Sequence, residues 1–166
     1  DMLERTIRKL KDGVEDGIPE PDPVLEISID GYIPDDYIAD PRYKLELYRR
    51  FAGLDYGEKD DLLDEIIDRF GEPPEEVEVL WRVACLRALC RLLHIRGISV
   101  KPGELRITFA ENAAIDPTAL MQLISEQQQY MNFKSGVQAQ LIFRTVKLKT
   151  DSLTWLEKNL PRLAFD

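Results

Sequence analysis

Four carboxylates recur at helical spacing within residues 58–71, and they are the side chains of this chain best placed to do chemistry. Asp61, Asp64, Glu65 and Asp68 are separated by steps of three and four, which puts them on one face of a helix. Such a face can form charge-assisted hydrogen bonds with arginines or lysines of a partner. A solvent-exposed helix face usually carries both acidic and basic side chains, because like charges at this spacing repel. Two interpretations remain open: a docking face for a basic partner, or an ordinary solvated helix in an acidic protein.

The opposite face of the same segment is apolar. Its members recur at steps of three and four: Leu62, Leu63, Ile66, Ile67 and Phe70. Acidic residues early in the segment suit the N-terminal end of the helix dipole, and Gly71 followed by Pro73-Pro74 ends the helix. The pattern predicts an amphipathic helix with its apolar side in a core.

Residues that could catalyse a reaction or bind a metal are sparse. His94 is the only histidine, and Cys85 and Cys90 lie five residues apart in an apolar helical run, so they do not make a convincing zinc site. The two cysteines face different directions, which favours reduced core residues over a disulfide. His94 falls at a helix end, where a cationic imidazole complements the dipole, so a structural role is favoured over catalysis. No glycine-rich phosphate-binding motif occurs, and we expect no catalytic centre, metal or cofactor.

Three aspartates next to prolines could be imagined as magnesium ligands. Asp35 and Asp36 follow Pro34, and Asp40 precedes Pro41. Acidic residues in such positions commonly stabilise turns and cap helices, and nothing nearby would hold a phosphate substrate. Turn and cap roles are therefore favoured.

The chain is acidic, with a formal net charge of −9. The scattered basic residues Arg82, Arg87, Arg91, Arg96, Lys101 and Arg106 could form a nucleic-acid patch. The overall charge would repel a phosphate backbone, and the aromatic residues follow core spacing instead of alternating with the basic ones. We therefore expect these residues to balance neighbouring acids or to be solvated. A basic protein surface is a better partner than nucleic acid.

The elements that position these side chains begin with one strand and three helices. A period of two predicts a strand at Val24–Asp30, and helical periodicity predicts helices at about Pro41–Phe51, 58–71 and Glu75–His94. Pro41 suits the first turn of its helix. The third helix has the widest apolar face and is expected to be central to the core.

Two hairpins and two further helices follow. Pro102-Gly103 has the residues of a type II turn, and Ser135-Gly136 marks the second hairpin. The predicted elements are the strands Ile98–Lys101 and Glu104–Phe109, a helix from Pro117 to about Gln127 capped by Asp116, the strands Tyr130–Lys134 and Val137–Val146, and a helix at Ser152–Asn159. This order predicts an α+β fold, one compact domain with mainly antiparallel pairing.

The start of the chain is expected to be separate from this domain. Residues 2–12 are predicted to be helical, and prolines, glycines and acids make 13–23 a linker. We therefore expect a helix and linker at 1–17 and the compact domain at 18–166. The charged first residues resemble a cut inside a longer protein and lack the apolar stretch of a signal peptide. With no run long enough to span a membrane and two reduced cysteines, the cytoplasm is expected.

Several short motifs occur in a distinctive order. They are Ile33-Pro34-Asp35-Asp36-Tyr37-Ile38, then Arg42 through Leu47-Tyr48-Arg49-Arg50, Leu62 through Ile67-Asp68-Arg69-Phe70-Gly71, Pro74, and Ala84-Cys85-Leu86-Arg87. Over about residues 24–96 this series resembles the C-terminal (TRCF) domain of bacterial transcription-repair coupling factors (Mfd). One departure is Leu93-His94, where that family often has Leu-Gly. The residues after Gly97 carry no diagnostic motif.

The resemblance implies a non-catalytic regulatory domain of an ATP-dependent DNA translocase. The parent proteins displace stalled RNA polymerase and recruit nucleotide excision repair. In that family the domain packs on a UvrB-like module of the same polypeptide, masks the surface that binds UvrA, and restrains the motor. The resemblance also implies that residues 1–17 come from the end of the motor. The alternative is an interaction module that contacts RNA polymerase or DNA directly.

With that resemblance, the carboxylate face acquires a specific partner. We expect Glu65 and Asp68 to pair with arginines of the UvrB-like module, while Asp61 and Asp64 add to the electrostatic field. Arginine–carboxylate pairs can be bidentate and would supply both register and energy.

Overall fold

The computed structural model describes residues 22–29, 31–145, 148 and 151–165. The helix predicted at 2–12 and the boundary expected after residue 17 lie outside the described residues, so both stay predictions. The described residues belong to two compact units. One unit is continuous, Ser28–Ala88, and the other combines the chain up to Ile27 with the chain from Leu89 onward.

Three helices build the continuous unit: α1 at Pro41–Ala52, α2 at Lys59–Phe70, and α3, which begins at Glu75 and ends at Leu93, beyond this unit. Asp40 caps α1, because its Oδ1 accepts a 2.9 Å hydrogen bond from the backbone N–H of Arg42. Helix α1 begins at Pro41, as predicted. A 3-10 turn at Tyr56–Glu58 leads into α2.

The apolar faces of the three helices meet in one core. Its buried members include Leu47, Phe51, Leu62, Ile66, Val77 and Ala84. Ile66 is 1% exposed, which confirms the apolar face predicted for α2. Trp81 is packed against this cluster and donates a 2.8 Å hydrogen bond from Nε1 to the carbonyl oxygen of Lys59. This bond fixes α3 to the first turn of α2.

The second unit contains a mixed five-stranded sheet. The strands are β1 at Val24–Glu26, β2 at Ile95–Lys101, β3 at Glu104–Phe109, β4 at Met131–Lys134 and β5 at Gln140–Arg144, in the spatial order β1-β2-β3-β5-β4. Only β1 and β2 pair in parallel among these strands. The predicted α+β class with mainly antiparallel pairing is confirmed.

One face of the sheet forms the core of this unit. Leu105, Ile107 and Phe109 alternate along β3 and are buried. Helix α4 spans Pro117–Glu126, and α5 spans Ser152–Asn159 before a 3-10 turn at Leu160–Leu163. Helix α5 covers the core face, because Trp155 stacks on Phe143 of β5 with ring centroids 4.7 Å apart.

Several strand boundaries differ from the prediction. Strand β1 ends at Glu26 instead of Asp30, because the chain bends at Ser28 where it leaves the sheet for the continuous unit. Strand β2 begins at Ile95, earlier than predicted, because a bulge lets Ile95 pair with Phe109. Strand β5 begins at Gln140 instead of Val137, since the chain around Val137 projects into solvent.

Candidate protein-docking site

The predicted carboxylate face lies on the surface of α2. Asp61, Asp64 and Asp68 are exposed, and none of them has an ionic partner among the described residues. Leu62 and Ile66 anchor the opposite side of the helix in the core. The predicted division of α2 into an apolar and an acidic side is therefore correct, and three negative charges point into solvent together.

Glu65 differs from the three aspartates, because two arginines of the same unit hold it. Arg50 of α1 donates from Nη1 to Oε2 of Glu65, and Arg69 donates to the same oxygen at 3.4 Å. Arg69 also reaches Oε1 of Glu46 at 3.2 Å. The result is a chain of alternating charges that joins α1 to α2. Within the described residues, Oε1 of Glu65 accepts no hydrogen bond.

These contacts change the titration of the groups involved. The hydrogen bond from Arg50 is the main cause that lowers the pKa of Glu65 below its ordinary value, and Arg69 adds to it. The hydrogen bond to Glu46 raises the pKa of Arg69. Glu65 is therefore a fixed anion at neutral pH, pre-oriented by its neighbours.

Arg69 has a structural position at the end of α2. Its guanidinium lies over the ring of Phe70, 4.9 Å from the centroid, and 5.7 Å from the ring centroid of Tyr43. The Tyr43 and Phe70 rings are themselves 6.4 Å apart. Arg69 thus lies between carboxylates and aromatic rings at the end of α2.

A cleft opens beside the carboxylate face, between the end of α1 and the start of α2. It has a volume of about 430 Å³. Its walls are Arg49, Arg50, Gly53, Leu54, Glu58, Asp61, Leu62 and Glu65. Two residues of the carboxylate face therefore border a recess large enough for a side chain of a partner.

Sequence reasoning missed the part that α1 plays in this site. The spacing of Glu65 and Arg69, four residues apart on one helix, was visible in the sequence. The contributions of Glu46 and Arg50 depend on how α1 packs against α2, and no periodicity within either segment reveals that packing.

Of the three aspartates next to prolines, Asp35 and Asp40 have structural contacts. Asp40 caps α1, Asp35 forms an ion pair with Lys44, and Asp36 is exposed. No group of three or more His, Cys, Asp or Glu side chains in the described parts of the chain could hold a metal ion. Both cysteines are buried, as expected for core residues.

His94 follows the last residue of α3 and has a φ of 56°. Its Nδ1 is buried without a hydrogen-bond partner in the described structure. The basic residues considered for a nucleic-acid patch are divided between the two units. Arg91 pairs with Asp22 at 3.1 Å, and Arg106 contacts Glu104 at 3.4 Å. No helix within the described ranges is both long and apolar enough to span a membrane.

Comparison with known proteins decides the family. The family model described as the TRCF domain matches residues 27–120, more than half of this chain. The chain belongs to the TRCF domain family. The matched region of this TRCF domain contains the whole continuous unit, including α2 with its carboxylate face.

Relatives of this TRCF domain are much longer proteins. The transcription-repair-coupling factor of Bacillus subtilis is 37% identical over 102 residues, which cover 60% of this chain and 9% of the relative. The protein of the same name from Escherichia coli is 27% identical over 167 residues, 98% of this chain and 14% of the relative. The chain thus spans only about a tenth to a seventh of these relatives.

A solved structure supports the same assignment. The crystal structure of the C-terminal domain of a transcription-repair coupling factor matches this TRCF domain with a TM-score of 0.70 and 26% identity. The match covers 85% of this chain and 89% of the solved one. The resemblance inferred from the ordered motifs is confirmed, and the likeness extends beyond Gly97, where the sequence alone offers no motif.

Proposed function

We propose that this chain is a non-catalytic regulatory domain of a transcription-repair coupling factor and that it docks through the carboxylate face of α2. The observation that carries the proposal is that Asp61, Asp64 and Asp68 are exposed side by side without ionic partners among the described residues. Like charges at this spacing repel, so a cationic partner relieves an unfavourable arrangement. The partner proposed is the UvrB-like module of the same polypeptide.

Glu65 and Asp68 are the proposed direct contacts, and Asp61 and Asp64 strengthen the field around them. Both intradomain hydrogen bonds to Glu65 end on Oε2, which leaves Oε1 available to an incoming arginine. Arg50 therefore orients Glu65 for docking without occupying it fully. Asp68 lies about one turn further along α2, so a second contact at Asp68 would fix the position of the partner along the helix.

A docked domain of this kind would act as an inhibitor of its own polypeptide. Covering the UvrB-like module masks the surface for UvrA and holds the motor in a resting state. The closed state would be held by a few ion pairs at the surface, so a competing partner such as engaged RNA polymerase can shift it.

The direct test is binding of this chain to the UvrB-like module, with Asp68→Arg as the principal variant. Asp68 has no ionic partner among the residues that the structure describes, so reversing its charge leaves the observed contacts between α1 and α2 intact. Asp36→Arg is the matched control, because Asp36 is an exposed aspartate of the same unit outside the carboxylate face. We expect Asp68→Arg to weaken binding by about tenfold or more, a loss typical of a broken charge pair. The control variant should bind as the wild type does.

Glu65→Arg is a second variant, and its effect should be larger because it also repels Arg50 and Arg69. In the complete protein, reversing both Glu65 and Asp68 should raise ATP hydrolysis without DNA and increase UvrA binding. Equal binding by Asp68→Arg and Asp36→Arg would refute the docking face. Salt-sensitive binding of DNA that requires Arg87 would favour the alternative function instead.

A further inference from the structure

A second surface of the continuous unit has the features of a docking site, and it lies on α1. Pro41, Leu45, Tyr48 and Ala52 recur at steps of four, three and four, and all four are exposed. Leu45 is 50% exposed and Tyr48 is 39% exposed. This row of residues, which we call the α1 seam, has the spacing that lets one helix pack its side chains between those of another.

The α1 seam extends beyond the helix through one hydrogen bond. The hydroxyl oxygen of Tyr48 accepts a 3.0 Å hydrogen bond from the backbone N–H of Ile33. That bond ties the segment before α1 to the seam, and Tyr32, which precedes Ile33 in this segment, is 54% exposed. Large side chains are therefore exposed both on the seam and on the segment bonded to it, and exposed apolar patches mark interaction sites.

Two arginines border the α1 seam on one side. Arg42 and Arg49 are seven residues apart, so they lie on the same side of α1, about two turns from each other. Arg42 forms an ion pair with Asp40, with 2.9 Å between Nη2 and Oδ2. Arg49 has no ionic partner among the described residues. The acid of α1, Glu46, is turned towards Arg69 and does not neutralise this border.

We propose that the α1 seam docks an amphipathic helix with an apolar stripe and acidic flanks. The stripe would pack on Leu45 and Tyr48, and flanking carboxylates would pair with Arg49 and Arg42. Tyrosine and arginine around an apolar centre are the residues that carry most binding energy in protein interfaces. The charge of this partner is opposite to that of the partner proposed for α2, so the two surfaces bind different segments.

The length of the α1 seam sets the size of the partner. Pro41 and Ala52 are eleven positions apart, which corresponds to about 16 Å of helix at 1.5 Å per residue. A partner helix of about three heptads covers this distance with its ends outside the contact. We therefore choose as probes two designed helical peptides of that length with the same leucine stripe, one flanked by glutamate and one by lysine.

The test is titration of this chain with each peptide, monitored by calorimetry and by backbone chemical shifts. We expect the glutamate-flanked peptide to bind about tenfold more tightly than the lysine-flanked one, with shifts centred on α1. Leu45→Asp should weaken binding by about tenfold or more, and Arg49→Glu should reverse the preference between the peptides. Met121→Asp is the matched control, because Met121 is 64% exposed on α4, and it should change nothing.

Three outcomes would overturn the proposal. The first is equal affinity for both peptides, and the second is a loss of affinity in Met121→Asp as large as in Leu45→Asp. The third is self-association of the free chain through α1, detected by sedimentation and abolished by Leu45→Asp, since a second copy would then occupy the seam. Asp68→Arg should leave peptide binding unchanged, so failure of the α2 proposal and failure of this one remain distinguishable.

Discussion

The hydroxyl group of Tyr37 donates a 2.6 Å hydrogen bond to the carbonyl oxygen of Gly71. This bond joins the turn before α1 to the residue that ends α2. Gly71 has a φ of 89°, a conformation that glycine adopts without steric cost, and its N–H closes the helix on Ile67 at 2.9 Å. Tyr37 thus fixes the end of the helix that carries the carboxylate face.

Tyr37→Phe should destabilise the continuous unit by about 1 kcal/mol, because one hydrogen bond is lost and its acceptor can be rehydrated. The free energy of unfolding in urea measures the change. Tyr43→Phe is the control, since no hydrogen bond of the Tyr43 hydroxyl is present in the described structure. Equal losses in the two variants would show that the bond to Gly71 contributes nothing specific.

Gly31→Ala should destabilise the same unit by about 1–3 kcal/mol, the usual range for overpacking. A Cβ at residue 31 would lie 2.6 Å from the carbonyl oxygen of Glu76 and 2.7 Å from the backbone nitrogen of Leu80. These are backbone atoms of α3, which cannot turn aside. Gly57→Ala meets no atom within 4 Å and should be neutral or slightly stabilising. Thermal unfolding of the two variants compares them directly.

Glu65→Gln should make the continuous unit less sensitive to acid. Arg50 lowers the pKa of Glu65 in the folded state below its ordinary value of 4.5, so the ion pairs contribute stability above that pH. The contribution is lost as the pH falls through the lowered pKa. The wild type should therefore be more stable than Glu65→Gln at pH 7, and the difference should vanish in strong acid. Urea unfolding across this range measures it; a difference that persists below the lowered pKa would contradict the assignment.

His94→Gly should leave the stability of the sheet-containing unit unchanged or raise it, whereas His94→Val should lower it by about 1–2 kcal/mol. A φ of 56° is costly for most L residues, and most of all for β-branched ones. Glycine removes that cost but loses more conformational entropy on folding. Urea unfolding of the two variants would decide, and equal stability would show that the conformation at residue 94 relaxes.

Sequence periodicity predicted the parts of the fold that depend on local pattern. The end of α2 at Gly71 and the cap of α4 by Asp116 are confirmed, the latter by a 3.0 Å hydrogen bond from the Thr118 N–H to Asp116 Oδ1. The turn at Pro102-Gly103 is consistent with type II geometry, since Gly103 has a φ of 82°. Each of these features is decided by residues within a few positions of each other.

Features that depend on distant residues were not predictable in this way. The ion pair between Arg50 and Glu65 requires the packing of α1 against α2, and the periodicity of a single segment does not predict that packing. The conformation of His94 was not predictable either. The sequence shows histidine where the resembling family often has glycine, but only the backbone shows that residue 94 has the conformation that glycine favours. Strand β1 was predicted too long because its end depends on where the chain leaves the sheet.

The pairing of β1 with β2 has a consequence for the order of events during synthesis. Val24 pairs with Gly97, so the ribosome must make the whole of Ser28–Ala88 before β1 can find its neighbour. The continuous unit has all its residues available earlier and can fold first, while the nascent sheet is still missing its central strands. Closing a loop of this length is entropically costly, which predicts that β1 is added late. Folding of Ser28–Ala88 and completion of the sheet would then be separate steps, and slower translation of the residues that follow Ala88 would lengthen the interval between them.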